Sequence, residues 1–144
     1  MSWIKETVMD LTNQHQSLNP FKIADNLKIN VLLLNLHYEI QGFYRYEQRN
    51  KYIVINNNLS EVEQRFVCAH ELGHAVLHPR SNTPFLRDST FFSVDRLEVE
   101  ANTFAVELLL PDDLIKGYGD TQLTLDNLVR MQGIPKNLAY LKKF

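Results

Sequence analysis

The sequence is poor in several features that would place it in a specialised class. It contains one cysteine, Cys68, which excludes an intramolecular disulfide and leaves His and carboxylate side chains as the available metal ligands. No apolar run approaches the roughly 20 residues that a membrane-spanning helix needs. Lys5, Glu6 and Asp10 occupy the place where the apolar core of a secretion signal would lie. We therefore expect a cytoplasmic protein that does not interact with membranes.

Neither sign of charge is in excess. Fifteen Lys and Arg stand against 17 Asp and Glu, a net charge of −2, so the chain lacks the basic excess typical of nucleic-acid-binding proteins. The stretch after Asp126 is the exception, because it carries no acidic residue and four basic ones, Arg130, Lys136, Lys142 and Lys143. We interpret these as a solvated helix face and expect no direct binding to nucleic acid.

A length of 144 residues favours one domain over residues 1–144. Within it, helix and strand patterns alternate in a way that predicts an α+β fold with a small, largely antiparallel three-stranded sheet packed with helices. The expected strands are a buried one at Val31 to Leu36, then Gly42 to Glu47 and Lys51 to Ile55. The expected helices cover Ser2 to His15, a short segment after Asn19-Pro20, Arg96 to Leu110, Thr124 to Met131 and Pro135 to Lys142, and Arg80 to Asp95 is expected to be a loop.

The best-defined predicted element is a helix that begins after Ser60. Ser60 and Glu63 form a capping box, and an apolar stripe follows until Pro79 ends the helix. Inside this helix stands the sequence His70-Glu71-Leu72-Gly73-His74, an H-E-x-x-H motif. Residues four apart project from one face about 6 Å apart along the axis, so the two imidazoles can converge on one metal ion beside Glu71.

A catalytic zinc ion takes three protein ligands and keeps one position open, so a third ligand is needed. His78 continues the spacing of four, but it lies about 12 Å along the axis from His70, too far for bonds of about 2 Å to one ion. The metzincin spacing would place its third His at the position that Arg80 occupies. We interpret His78 as a residue at the carboxyl end of the helix, where the helix dipole favours it.

The second long predicted helix offers carboxylates instead. Glu100 borders its apolar stripe and can face the partner helix, whereas Glu98 lies farther round, so the pattern favours Glu100 over Glu98. A carboxylate at a seam between helices is costly unless it is paired or bound to a metal. Gly costs about 1 kcal/mol in a helix interior, so Gly73 is explained by close packing of another element at the motif or, equally well, as a small residue that the helix tolerates.

These motifs together resemble those of a known family. The run from Arg65 to His78, followed by Glu98-Val99-Glu100-Ala101-Asn102-Thr103-Phe104-Ala105 and Leu108-Leu109-Leu110-Pro111, resembles the ImmA/IrrE metallopeptidases of bacteria and their phages. The resemblance implies a zincin-like fold with the H-E-x-x-H motif on a central helix. It also implies Zn²⁺ held by His70, His74 and Glu100, with Glu71 as the catalytic base. The family's proteases typically cut a repressor of a prophage or mobile element.

The motifs and the resemblance together predict a zinc endopeptidase, and the resemblance implies that its protein substrate is a helix-turn-helix repressor. We expect an extended substrate to pair with the edge of the sheet, with Lys51 to Asn56 as the candidate strand. One alternative is a metal-binding regulatory module that binds a repressor without cutting it. Another is a DNA-binding protein, because Leu125 to Leu141 loosely matches two short helices joined at a Gly turn.

Overall fold

The computed structural model describes residues 2–86, 95–119 and 122–144. Most of the predicted helices are present, together with a short helix, α5, that the sequence analysis did not predict. The helices and strands in chain order are α1 (Ser2–His15), α2 (Pro20–Asn26), β1 (Asn30–Leu34), β2 (Ile40–Glu47), β3 (Asn50–Asn56), α3 (Glu61–Leu77), β4 (Thr83–Leu86), α4 (Arg96–Leu109), α5 (Asp112–Gly117), α6 (Leu125–Met131) and a 3₁₀ helix (Lys136–Leu141).

Local capping explains why the helices begin where the sequence predicts. The side chain of Asn19 caps α2 with Pro20 at its first position, and Ser60 and Glu63 form the complete capping box of α3. Asp95 caps α4 through hydrogen bonds from two backbone N–H groups. Each cap satisfies N–H groups that the first turn of a helix leaves without a partner.

The sheet differs from the expectation of a largely antiparallel three-stranded one. Within the described residues, four strands lie in the order β1-β3-β2-β4; β1 runs parallel to β3, and β2 is antiparallel to both β3 and β4. The hairpin between β2 and β3 returns β3 into the space between β2 and β1, which makes the sheet mixed. The fourth strand lies within 80–95, which we expected to be a loop, and residues 87–94 of that segment lie outside the described part.

Two expectations about individual strands are wrong for the same reason. Lys51 to Asn56 lies in β3, which has a neighbour on both sides, so it is not an edge that a substrate could pair with. The apolar run predicted to be buried is instead β1, which has one neighbour, and Leu32, Leu33 and Leu34 are each more than 40% exposed. A continuous apolar run predicts two covered faces, whereas strand order depends on pairing with distant segments.

Helix α3 lies in the centre of the molecule and packs against α2, β2, β3 and α4. Its second half is anchored to the sheet: the Tyr44 hydroxyl donates to the Pro79 carbonyl, and Lys51 Nζ donates to the Ala75 carbonyl. At the seam with α4, a Cβ on Gly73 would lie 3.1 Å from Phe104 Cβ. Of the two explanations for Gly73, close packing is therefore the one that is confirmed.

The carboxyl-terminal segment packs against α4, with Lys142 buried, whereas Arg130, Lys136 and Lys143 are exposed as we expected of a solvated face. The Lys142 side chain is 1% exposed and its Nζ lies 2.7 Å from Glu107 Oε1. Of the two short helices predicted here, the second is a 3₁₀ helix of six residues, and one of the four basic side chains is buried. Among the helices in the described part of the chain, none combines the length and hydropathy that crossing a membrane requires.

Candidate metal centre

The H-E-x-x-H motif lies in the buried middle of α3. His70, Glu71 and His74 are all fully buried, and one possible ligand atom from each lies within 4.8 Å of the other two. The two imidazole rings stand edge to face with their centroids 4.9 Å apart. The helical spacing of four thus brings both imidazoles to one point, as the sequence predicts.

Helix α4 brings a carboxylate to the same point, and it belongs to Glu98. Oε2 of Glu98 lies 3.0 Å from His70 Nε2, and its Oε1 lies 3.2 Å from His74 Nε2. Glu100, which the sequence analysis favoured, lies elsewhere: its Oε1 is 2.8 Å from His78 Nε2. The structure therefore places Glu98, and not Glu100, beside the two imidazoles.

The preference for Glu100 failed because α4 has more than one buried face. A helix turns about 100° per residue, so Glu98 and Glu100 lie about 200° apart on opposite flanks of the apolar stripe. Since α4 packs against α1, α3 and the 3₁₀ helix, burial alone does not say which flank faces α3. The neglected signal is Asn102, a buried amide one helical turn after Glu98 and on its flank.

Both imidazoles have a polar partner at Nδ1, the ring nitrogen farther from Glu98. Nδ1 of His70 lies 2.8 Å from Asn102 Oδ1. Nδ1 of His74 lies 3.0 Å from Nδ1 of His78. His78 is the carboxyl-terminal cap of α3, as expected, but the sequence analysis did not predict its contact with His74 or the role of Asn102.

Burial and neighbouring charges shift the pKa values of the groups in the centre. Burial raises the pKa of Glu71 well above its usual value, and the nearby Glu98 carboxylate raises it further. Burial would also raise the pKa of Glu98, but the neighbouring imidazoles of His70 and His74 outweigh it and hold the pKa at about 2. Burial lowers the pKa of His74, which favours the neutral imidazole that can bind a metal.

The side chains of the centre are of the kinds that hold zinc. Zn–N and Zn–O bonds of about 2.0–2.1 Å separate neighbouring ligand atoms in a tetrahedral site by about 3.3 Å. Oε2 of Glu98 lies 3.0 Å from His70 Nε2 and Oε1 lies 3.2 Å from His74 Nε2, so both imidazoles have a Glu98 oxygen at about this distance. Both oxygens of Glu71 are buried without a hydrogen-bond partner among the described residues. Two imidazoles and a carboxylate, with a second carboxylate alongside, match the kinds of side chain that catalytic zinc sites use.

Comparisons with known proteins found a matching family model and two similar proteins. The model of the IrrE N-terminal-like domain, peptidase family M78, matches residues 24–139. An uncharacterized immunity region protein 2 of Bacillus phage phi105 is 57% identical over 96% of this chain and 88% of its own length. The metallopeptidase ImmA of Bacillus subtilis strain 168 is 34% identical over 78% of this chain, and the matched stretch covers 66% of ImmA.

The matched family segment contains α3, α4 and all the residues of the centre. The extent of this match is sufficient to assign the family, as the two motifs predicted. The chain belongs to the ImmA/IrrE family of metallopeptidases.

Proposed function

We propose that this protein is a zinc endopeptidase that cleaves a helix-turn-helix repressor of a phage or mobile element and thereby relieves repression. The family and the relative named ImmA support a metallopeptidase, and the relative named as an immunity region protein supports a role in phage immunity. The proposal treats residues 1–144 as one metallopeptidase domain that acts in the cytoplasm.

One observation carries the catalytic part of the proposal. The Glu98 carboxylate lies between the Nε2 atoms of two buried imidazoles, and Glu71 lies beside them with neither oxygen hydrogen-bonded among the described residues. A buried carboxylate without partners is costly in a site that serves only structure. It is expected where the group must be available for proton transfer.

The residues then divide into ligands and a base. His70, His74 and Glu98 would hold zinc, which when bound supplies the Lewis acidity that activates water and polarises a peptide carbonyl. Glu71 accepts the proton of the attacking water at its carboxylate and returns it to the amine of the departing peptide. Burial raises the pKa of Glu71, the direction that makes a carboxylate a stronger base.

The decisive test compares the wild type with Glu71→Gln. Each purified protein is loaded with zinc and mixed with the helix-turn-helix repressor encoded in the same immunity region, and fragments are identified by mass spectrometry. We expect a defined fragment from the wild type that disappears with a chelator and returns with zinc. Glu71→Gln should bind zinc and repressor as the wild type does but cleave at least about 100-fold more slowly, since general-base catalysis contributes 10²–10⁴-fold.

The control is Glu61→Gln, the same change in the exposed first turn of α3, which should cleave normally. If Glu71→Gln still relieves repression in cells at the wild-type level, the protein is a binding module and not an enzyme. If the wild type binds zinc but leaves the repressor intact, the proposed substrate is wrong.

A further inference from the structure

The proposed centre leaves Glu100 and His78 without a role, although both approach it. The side chains of His78 and Glu100 are 8% and 13% exposed, and Oε1 of Glu100 lies 2.8 Å from Nε2 of His78. Nδ1 of the same His78 ring lies 3.0 Å from Nδ1 of His74. A continuous chain of polar contacts therefore runs from a carboxylate on α4, through the cap of α3, to one of the two imidazoles.

We propose that Glu100 and His78 form a positioning pair that fixes the tautomer and ring orientation of His74, so that its Nε2 is the metal-binding nitrogen. The inference rests on the proposed function, because it takes His74 as a zinc ligand. Neither Glu100 nor His78 touches the metal or the substrate in this assignment. Their effect passes through His74 alone.

The positions of the protons follow from the number of N–H groups that each neutral ring can carry. A neutral imidazole has one N–H group, and a nitrogen that binds a metal cannot carry it. With Nε2 of His74 at the metal, its proton is on Nδ1 and is donated to Nδ1 of His78. That nitrogen must then be an acceptor, so the proton of His78 is on Nε2.

Glu100 completes the chain, because a carboxylate only accepts hydrogen bonds. It takes the Nε2–H of His78 and so selects the tautomer in which Nδ1 of His78 is free of a proton and can accept from His74. The opposite direction would place the proton of His74 on Nε2, where it would block metal binding. Metal-binding histidines commonly donate their other N–H to such a partner, which raises their basicity.

The other imidazole has a simpler partner, which explains the layout of α4. Nδ1 of His70 lies 2.8 Å from Oδ1 of Asn102, so a single side chain can accept its N–H. Glu98 and Asn102 thus both contact His70 from one flank of α4. Glu100 reaches His74 from the opposite flank through His78, so the two glutamates of this helix have different tasks.

Zinc affinity tests the pair without relying on cleavage. Competition with a chromophoric chelator should show that Glu100→Leu and His78→Phe each bind zinc 10- to 100-fold more weakly, the usual cost of losing an outer partner of a ligand. Glu100→Gln keeps an oxygen that accepts from His78, so it should stay within about threefold of the wild type. Glu61→Leu, at the exposed start of α3, is the control and should bind normally.

A spectroscopic measurement on the wild type avoids any variant that fails to fold. In the zinc-loaded protein labelled with ¹⁵N histidine, long-range ¹H–¹⁵N spectra identify which ring nitrogen carries the proton. We expect His78 as the Nε2–H tautomer and His74 as the Nδ1–H tautomer. A proton on Nδ1 of His78 would overturn the assignment, because that nitrogen could not then accept from His74.

The outcomes separate this inference from the proposed function. Zinc binding unchanged in Glu100→Leu and His78→Phe, with the wild type binding tightly, would refute the positioning pair and leave the peptidase proposal intact. A wild-type protein whose His74 ring does not respond to zinc would refute both. Equal losses in Glu100→Gln and Glu100→Leu would show that charge, and not the acceptor oxygen, is what matters, against the assignment made here.

Discussion

At the scale of single residues, the proposed roles of Glu98 as a zinc ligand and of Glu100 as a positioning residue can be tested directly. Glu98→Gln replaces a charged ligand by a neutral amide and should weaken zinc binding more than about 100-fold, beyond the usual cost of an outer partner. Glu100→Gln should bind nearly normally. Isothermal titration of the two apo proteins with zinc measures the difference, and the reverse order of affinities would restore Glu100 as the ligand.

The sequence could bring together only those residues that lie close to one another along the chain. His70, Glu71 and His74 lie on one face of one helix, and helical spacing alone brings their side chains together. The contact between His78 and Glu100 could not be predicted, because it requires the relative position of two helices that a long segment separates. Glu98 is an intermediate case. The amide residue Asn102, one helical turn later, could have indicated that this flank of α4 lines the site, but only if it were known which flank faces α3.

At the scale of elements, the spacing between α3 and α4 sets the distance from the imidazoles to Glu98, and Gly73 lies at that seam. Gly73→Ala would place a Cβ 3.1 Å from Phe104 Cβ and 3.2 Å from the Ala101 carbonyl. Overpacking costs about 1–3 kcal/mol, and replacing Gly in a helix gains about 1 kcal/mol. Because the close atoms are a Cβ and a backbone carbonyl, which cannot turn aside, we expect the cost to exceed the gain. Urea unfolding should therefore show a net loss of up to about 2 kcal/mol.

Gly117→Ala is the matched control for this change. Gly117 is the last residue of α5, and a Cβ there would meet nothing within 4 Å. The same substitution should leave stability unchanged or raise it slightly. A Gly73→Ala protein more stable than Gly117→Ala would mean that the two long helices can separate freely, contrary to a seam that holds Glu98 in place.

The elements also show what local patterns can and cannot decide. Capping residues and helical periodicity act within a few residues, so the bounds of α1, α3 and α4 were predicted nearly as observed. The order of the strands depends on pairing across the chain: β1 pairs with β3, and the intervening β2 does not touch it. Nothing in the run Val31 to Leu34 distinguishes a covered strand from the exposed edge that it forms.

At the scale of the whole molecule, charged groups join the two ends of the chain to its middle. Lys5 of α1 contacts Asp112 and the Lys143 carbonyl, and Lys142 contacts both Asp112 and Glu107. The first residues of α1, the start of α5 and the carboxyl-terminal segment thus meet at one cluster. Lys142, one of the four basic residues near the end of the sequence, therefore links the carboxyl-terminal segment to α4 and α5, a role that net charge and its distribution along the chain could not reveal.

This cluster predicts a loss of stability in acid. Hydrogen bonds from Lys142 and Lys5 lower the pKa of Asp112 below its usual value. A lowered pKa in the folded state stabilises the protein above the pKa of the unfolded state, about 3.9, and this contribution is lost as the pH falls below it. Asp112→Asn should therefore be less stable than the wild type at pH 7, and the difference in unfolding free energy should shrink below about pH 4. A constant difference from pH 7 to pH 3 would contradict the assignment.

The pair formed by Lys142 and Glu107 predicts a larger effect, because both side chains are 1% exposed. Removing one partner of a buried ion pair leaves an uncompensated charge and costs about 3–5 kcal/mol, whereas replacing both by apolar groups is often neutral or stabilising. The loss of unfolding free energy in Lys142→Ala should be near the lower end of that range, because Glu107 still accepts a hydrogen bond from the Lys143 backbone N–H. The double variant Lys142→Met with Glu107→Leu should recover most of the loss in urea unfolding. If the double variant is as unstable as Lys142→Ala, the segment is held by the charges themselves and not by the packing around them.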